Sequence, residues 1–285
     1  MSQTVVVIGA GTMGRGIARV AAESGYDVRL VDVSEPALSA AITDIEKGLA
    51  RSVEKGKLGA EDARTARARL STSTSAPESA NGAAWVIEAV PEDPGIKAST
   101  YSSVRESIGP DTILATNTSS IPITKLAVHA ADPSRFVGVH FFNPVPLMKL
   151  VEVVRGEKTS DSTVERSIEF ALSLGKTPIV VKDSPGFATS RLGVLLGLEA
   201  MRMVESGVAS AEDIDRAMEL GYNHPVGPLR LTDLVGLDVR LGIAESLHRE
   251  LGAEAFRPPE ILRKMVAGGL LGKKSGQGFY RWETR

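Results

Sequence analysis

Apolar residues fall in short continuous runs over roughly the first two-thirds of the chain and at helical spacing over the rest. Thr4-Val-Val-Val-Ile8 opens the pattern as an unbroken β-branched run, as expected of a strand buried on both faces of a parallel sheet. Comparable runs occur at 27–31, 85–90, 112–115, 136–139, 150–154 and 177–181, with helical segments between them. This alternation predicts an α/β fold with a doubly wound, mostly parallel sheet. From Lys182 the strand signals stop. Ser184-Pro-Gly opens a helix over 187–205, with Leu192, Leu195, Leu196 and Met203 on one face. Ser210 with Asp213 forms a capping box for a helix over 214–220, and further helical patterns run through Leu247 and over 261–266. Two domains are expected: 1–183, carrying a helical hairpin at about 36–70, and an all-helical 184–285. The polar stretch Ser71-Thr-Ser-Thr-Ser75 is expected to be an exposed loop.

The first run leads into a stretch with chemical meaning. Gly9-Ala-Gly11-Thr-Met-Gly14 sits between the strand and a helix over 15–24, the order a dinucleotide site requires. Gly9 permits the turn, Gly11 lets the backbone approach a pyrophosphate, and Gly14 lets helix and strand pack closely. Thr12 and Met13 complete the turn, and the helix N-terminus presents N–H groups to the phosphates. The second strand ends at Asp32, 18 residues past Gly14. A carboxylate there hydrogen-bonds ribose hydroxyls and repels a 2'-phosphate, so NAD is expected over NADP and the sheet is Rossmann-like.

A second constellation lies at 137–154. His140 closes one apolar run, and Glu152 interrupts another made of Leu150, Val151, Val153 and Val154. A lone buried carboxylate is costly, so Glu152 calls for a partner. A carboxylate beside an imidazole orients the ring and stabilises its protonated form, so the pair reads as a general acid/base. The remaining histidines fit this role poorly: His129 lies in a polar connection, His224 in a turn and His248 on a charged helix face. Ligands of open parallel sheets bind beyond the carboxyl ends of the strands. The Gly9 turn, Asp32, Glu92, Asn117 with Ser119, and His140 each come just after a predicted strand. Ser119 taken alone reads equally as a helix cap ahead of Ile121-Pro-Ile.

Composition narrows the function. A chain of 285 residues, 42% hydrophobic, is long enough for two domains. A net charge of -2 gives no electrostatic footprint for nucleic acid. The absence of cysteine excludes disulfides, thiolate zinc sites and a cysteine nucleophile, and the acids lack ligand spacing with histidines, so no metal is expected. No run approaches a membrane span, and no signal-peptide pattern precedes the first strand, so a cytoplasmic location is expected.

Together these motifs resemble the L-3-hydroxyacyl-CoA dehydrogenase family, most closely its bacterial 3-hydroxybutyryl-CoA branch. The resemblance runs through Gly9–Gly14, Ile87-Glu-Ala-Val-Pro-Glu92, Asn117-Thr-Ser-Ser120, His140-Phe-Phe-Asn-Pro144, Asp183-Ser-Pro-Gly-Phe187 and Gly276-Gln-Gly-Phe-Tyr280. It implies NAD-dependent interconversion of 3-hydroxyacyl-CoA and 3-oxoacyl-CoA, and links the chain with fatty-acid and butyrate metabolism. By the same resemblance His140 is the catalytic base, Glu152 its partner, and Ser119 a hydroxyl that contacts substrate and cofactor. Glu92, Lys97, Asn117 and Asn143 match positions that the family uses around the nicotinamide and its ribose. The hairpin would cover the substrate, where Lys55 could meet a phosphate of coenzyme A. Many members carry Asn where this chain has Ser190; a serine offers the substrate oxygen one donor in place of two. The family also implies a homodimer through the second domain, to which the apolar helices after residue 186 independently point. With few residues after Tyr280, no coupled hydratase or thiolase activity is expected. Two alternatives stand beside this one. L-gulonate 3-dehydrogenases, acting on a free hydroxy acid, resemble the family and share the His–Glu pair, and some lens crystallins related to it keep the fold without turnover.

Overall fold

The computed structural model describes residues 3–283. The chain divides between Ser184 and Pro185 into two compact units. The first holds β1 (Thr4–Ile8), α1 (Thr12–Glu23), β2 (Asp27–Val31), α2 (Glu35–Glu54), α3 (Ala60–Ala68), β3 (Leu70–Ser73), α4 (Ala76–Ala80), β4 (Trp85–Glu88), α5 (Pro94–Val104), β5 (Ile113–Thr116), α6 (Ile123–Ala127), β6 (Phe136–Phe141), β7 (Leu150–Arg155), α7 (Asp161–Ser173) and β8 (Thr177–Lys182). These strands form one sheet in the order β3-β2-β1-β4-β5-β6-β7-β8.

The central strands are buried on both faces; Val5, Val6 and Val7 have no exposed surface. That is why they read as continuous rather than alternating runs. Helix α1 packs small and β-branched residues, among them Ile17, Ala18 and Ala21, into the same core. Phe170 of α7 stacks on Trp85 at 4.4 Å between ring centres.

Two features differ from the expectation. Ser71–Ser73 belong to β3, an edge strand paired in parallel with β2, and are not a loop. An edge strand needs only one neighbour: Leu70 supplies the buried contact and the Ser71 hydroxyl donates to the Val28 carbonyl at 3.2 Å. The continuous apolar run that marks an inner strand is therefore missing. Strand β6 also runs on to Phe141, so His140 lies inside a strand, not after one. Moreover β7 is antiparallel to β6, and β8 is parallel to β7, so the last two strands run against the first six.

The second unit is helical: α8 (Thr189–Glu205), α9 (Ala211–Gly221), α10 (Pro228–Val235), α11 (Leu237–Leu251) and α12 (Glu260–Ala267) enclose a core of Leu198, Met201, Leu229, Leu237 and Leu262. Ser210 caps α9, its hydroxyl accepting from the Asp213 N–H at 3.1 Å. Asp233, 1% exposed, ties the terminal strand-like turn to this core, accepting from the Phe279 and Tyr280 N–H groups and the Trp282 indole.

Candidate active site

The glycine turn is built by three different constraints. Gly9 has φ +108°, and a Cβ there would lie 2.5 Å from the Ala89 carbonyl oxygen. A Cβ on Gly14 would lie 1.7 Å from the Gly9 oxygen, so helix and turn meet backbone to backbone. A Cβ on Gly11 would meet nothing within 4 Å. The protein itself therefore makes no steric demand for glycine at 11, which leaves ligand approach as the reason for it. Gly11 is also the N-cap of α1 and supplies no side-chain cap, so the first N–H groups of the helix are left for an anion.

Asp32 closes this turn. Its Oδ2 accepts from the Ala10 N–H at 2.8 Å and its Oδ1 from the Ser34 N–H at 3.0 Å. Beside it opens a cleft of about 830 Å³, lined by Gly11, Met13, Asp32, Val90 and Ile96 among others. An apolar cleft with one carboxylate suits an adenosine and repels a 2'-phosphate. Of the nearby bases, Arg29 is committed to the carbonyls of Ser79 and Asn81 at 2.7 and 2.9 Å, and Arg15, which lines the cleft, pairs with Asp44 at 3.2 Å.

The register of the strands decides where His140 stands. Ile8 pairs with Glu88, Glu88 with Thr116, and Thr116 with Gly138. His140 is therefore two residues beyond the row on which β1, β4 and β5 end, at the rim carrying the glycine turn. Because β7 runs the other way, its beginning lies at that rim, and Glu152 pairs directly across from His140. Cross-strand partners share a face. His140 Nδ1 and Glu152 Oε2 are 2.8 Å apart, the ring 7% exposed and the carboxylate fully buried. Phe142 tilts against the imidazole at 4.5 Å between ring centres. Asn117, the first residue after β5, accepts the Phe141 N–H on its Oδ1 at 2.8 Å and so holds the overhanging end of β6.

Glu92 organises the neighbouring turn. Its Oε1 accepts from the Thr118 hydroxyl at 2.6 Å and from the Ser119 and Ser120 N–H groups at 3.0 and 3.2 Å. The Lys97 ammonium, 1% exposed, lies 3.2 Å from Oε2. Burial opposes ionisation of Glu92, but Lys97 and these hydrogen bonds outweigh it and hold the carboxyl below its usual range. Ser119 is thus fixed through its backbone, its hydroxyl 3.5 Å from the same oxygen. Lys97 also bonds Glu88, so Lys97, Glu92 and Ser119 form one connected group.

The other predicted residues are more dispersed. Asn143 lies on the β6–β7 connection, which the sequence gives no reason to regard as ordered. Lys176 explains its order: its ammonium donates to the carbonyls of Val145 and Met148 at 2.6 and 2.9 Å, and burial pushes its pKa down. Val145 in turn packs where a Cβ on Gly16 would fall 2.9 Å away, so a small residue in α1 admits the loop. Thr12 and Asn143 share a second cleft of about 500 Å³ with Arg15, Lys47 and Arg51. Lys55 is exposed at the C-cap of α2 and does not line that cleft. Arg51, in the last turn of α2, does line it. Ser190 stands in the first turn of α8, in the second unit. Among the described residues no group of three or more His, Cys, Asp or Glu is placed to hold a metal.

A phosphate-binding turn and an imidazole–carboxylate pair on one sheet rim belong together in dinucleotide-dependent hydride transfer, where a proton must move as the hydride does; fold and site define an NAD-dependent oxidoreductase. Comparison with known proteins narrows the class. Residues 4–184 match the 3-hydroxyacyl-CoA dehydrogenase NAD binding domain and residues 186–282 the C-terminal domain of the same family. The chain belongs to the 3-hydroxyacyl-CoA dehydrogenase family. It is 48% identical to a probable 3-hydroxybutyryl-CoA dehydrogenase of Deinococcus radiodurans, over 97% of this chain and 99% of that one. A probable 3-hydroxybutyryl-CoA dehydrogenase of Bacillus subtilis is 46% identical over 99% and 98%. The crystal structure of (S)-3-hydroxybutyryl-CoA dehydrogenase from Ralstonia eutropha superposes with a TM-score of 0.96 at 42% identity, covering both chains fully.

Proposed function

We propose that this protein interconverts (S)-3-hydroxybutyryl-CoA and acetoacetyl-CoA with NAD, and that His140 is its general acid/base. The observation that carries the proposal is the 2.8 Å contact between His140 and Glu152 at the rim that bears the glycine turn. The turn at 9–14, with Asp32, holds the dinucleotide, and Glu92, Lys97, Asn117 and Asn143 surround its nicotinamide end. NAD, when bound, supplies the hydride acceptor or donor. A carboxylate only accepts hydrogen bonds, so Glu152 fixes the proton on Nδ1, and exchange with substrate falls to Nε2. In oxidation Nε2 takes the proton of the 3-hydroxyl, and Glu152 stabilises the imidazolium that results. In reduction the same nitrogen returns it to the nascent alkoxide. The Ser119 hydroxyl donates to the substrate oxygen, limiting charge build-up there.

Coenzyme A needs cations for its phosphates. Arg15, Lys47 and Arg51 line the second cleft and are the best placed for this, with Lys55 one turn further along α2 as an outer contact. A cytoplasmic location without nucleic-acid partners belongs to the same proposal; no helix among the described residues is long and apolar enough to cross a membrane.

The test is the initial rate of NADH oxidation with acetoacetyl-CoA, beside free acetoacetate and an NADPH control. Turnover with the thioester and NADH only is expected. Activity on free acids alone would favour an L-gulonate-dehydrogenase-like enzyme, and NADH binding without any turnover a crystallin-like protein.

The active form is proposed to be a homodimer through the second unit. Leu192, Leu220 and Tyr222 of that unit are 66, 81 and 76% exposed in the isolated chain, apolar surface that a second copy would cover. Dilute protein is expected to sediment at twice the chain mass of 30.1 kDa, and a clean monomer would refute this.

A further inference from the structure

Glu88 is the last residue of β4, and the proton transfer at His140 does not use it. The carboxylate is fully buried, and donors fill both its oxygens: Lys97 Nζ at 2.7 Å and the Val90 N–H at 2.8 Å on Oε1, the Tyr101 and Thr116 hydroxyls at 2.5 and 2.7 Å on Oε2. A carboxyl group whose acceptor sites all receive protons from neighbours has no place for one of its own, so Glu88 is the anion. Tyr101 does not share the proton: burial, reinforced by Glu88, pushes its hydroxyl far above its ordinary range and keeps it a neutral donor. Lys97 supplies one positive charge, but it faces Glu92 as well. Two carboxylates share one ammonium, which leaves the group with an excess negative charge.

An ion pair of this kind is no more stable than apolar residues of the same shape, and an excess charge adds a desolvation cost. Folding alone therefore does not explain it. Glu152 brings another carboxylate to the rim, but its charge is balanced only while His140 Nε2 holds the proton, so its contribution changes as the reaction proceeds. The charge of Glu88, Lys97 and Glu92 stays constant through the reaction, and Glu88 and Lys97 are out of reach of solvent screening.

We propose that the Glu88–Lys97–Glu92 group, with Glu88 and Lys97 buried and Glu92 at its solvent edge, sets the preference between oxidised and reduced cofactor, its net negative charge favouring the cationic nicotinamide of NAD+ over the neutral ring of NADH. Glu88 touches no ligand; it acts by its charge and by holding Lys97, as a specificity-determining residue. The inference rests on the family placement of the nicotinamide beside Glu92. Unit charges about 10 Å apart at an effective dielectric near 20 change a binding ratio on the order of tenfold.

The experiment measures dissociation constants for NAD+ and NADH separately on the full chain, NADH by fluorescence and NAD+ by competition. In Glu88→Gln the excess charge is gone, and NAD+ is expected to weaken about tenfold more than NADH. Adding Lys97→Met to Glu88→Gln restores one net negative charge and should bring the ratio of the two constants back. A structural role alone would move both constants by one factor; that result, or a ratio that the double variant does not restore, overturns the proposal. Should Glu88→Gln not fold, Glu92→Gln removes the same charge from a partly exposed position and must raise the ratio likewise; an unchanged ratio there also overturns it. Failure of the wild-type protein to reduce acetoacetyl-CoA would instead count against the proposed substrate, and binding measurements keep the two failures apart.

Discussion

Replacing His140 with alanine is expected to lower kcat for acetoacetyl-CoA reduction by about 10³-fold, within the 10²–10⁴ range typical of a lost general acid/base, while the Kd for NADH changes by less than about twofold. The two effects separate because the imidazole and the dinucleotide cleft are held by different strands. The pair sits between β6 and β7, and the cleft lines the ends of β1, β2 and β4. Initial rates and an NADH fluorescence titration on the same preparation check both parts. A variant that keeps a tenth or more of its kcat would remove His140 from proton transfer. Loss of NADH binding together with kcat would instead mean that the substitution disturbed the rim, since β6 overhangs there and leans on β7 and Asn117.

The second large effect is a contrast within the glycine turn. Gly14→Ala places a Cβ 1.7 Å from the Gly9 carbonyl oxygen, a backbone atom that cannot rotate away. The helix must shift on its strand, at a cost of about 3 kcal/mol or more in unfolding free energy. Gly11→Ala meets no atom within 4 Å and has a φ of -66° that any residue adopts. Its stability is expected to stay within about 1 kcal/mol of wild type, slightly higher if anything, because alanine reduces the freedom of the unfolded chain. Its affinity for NADH should nevertheless fall by about 100-fold, since the new methyl occupies the line of approach of the pyrophosphate. Urea unfolding and NADH titration of the two variants decide the matter. Full NADH affinity in a folded Gly11→Ala protein would show that phosphates do not approach the turn there.

Much of this architecture is legible in the residues alone. Strands buried on both faces must be apolar along most of their length, so β1 and β4 to β7 announce themselves, and the half-exposed edge strand β8 is legible only from its β-branched run Ile179-Val-Val181. Glycine is needed where backbone meets backbone, as at Gly9 and Gly14, and that need is local to the turn. An acid embedded in an apolar run must have a partner, so Glu152 points to His140 across a gap of a dozen residues.

Other features depend on neighbours that no local pattern records. β3 escapes the pattern because an edge strand packs on one side only, and its serines satisfy the backbone of β2 instead of a core. The antiparallel turn of β7 is hidden because an apolar run has no direction, yet it is this reversal that sets Glu152 opposite His140. Lys97, Glu88, Tyr101 and Thr116 read separately as a cation, an acid, an aromatic and a hydroxyl; only their convergence in the folded chain makes them one charged group. Lys176 and Arg51 likewise acquire their places from loops and helices distant in sequence. The sequence by itself determined the elements, the glycine turn and the chemical kind of the acid/base, because these follow from the backbone and from local burial. Register, strand direction and the assembly of buried charge were decided by the tertiary structure, because hydrogen bonds and electrostatics act between segments that only packing brings within a few ångströms.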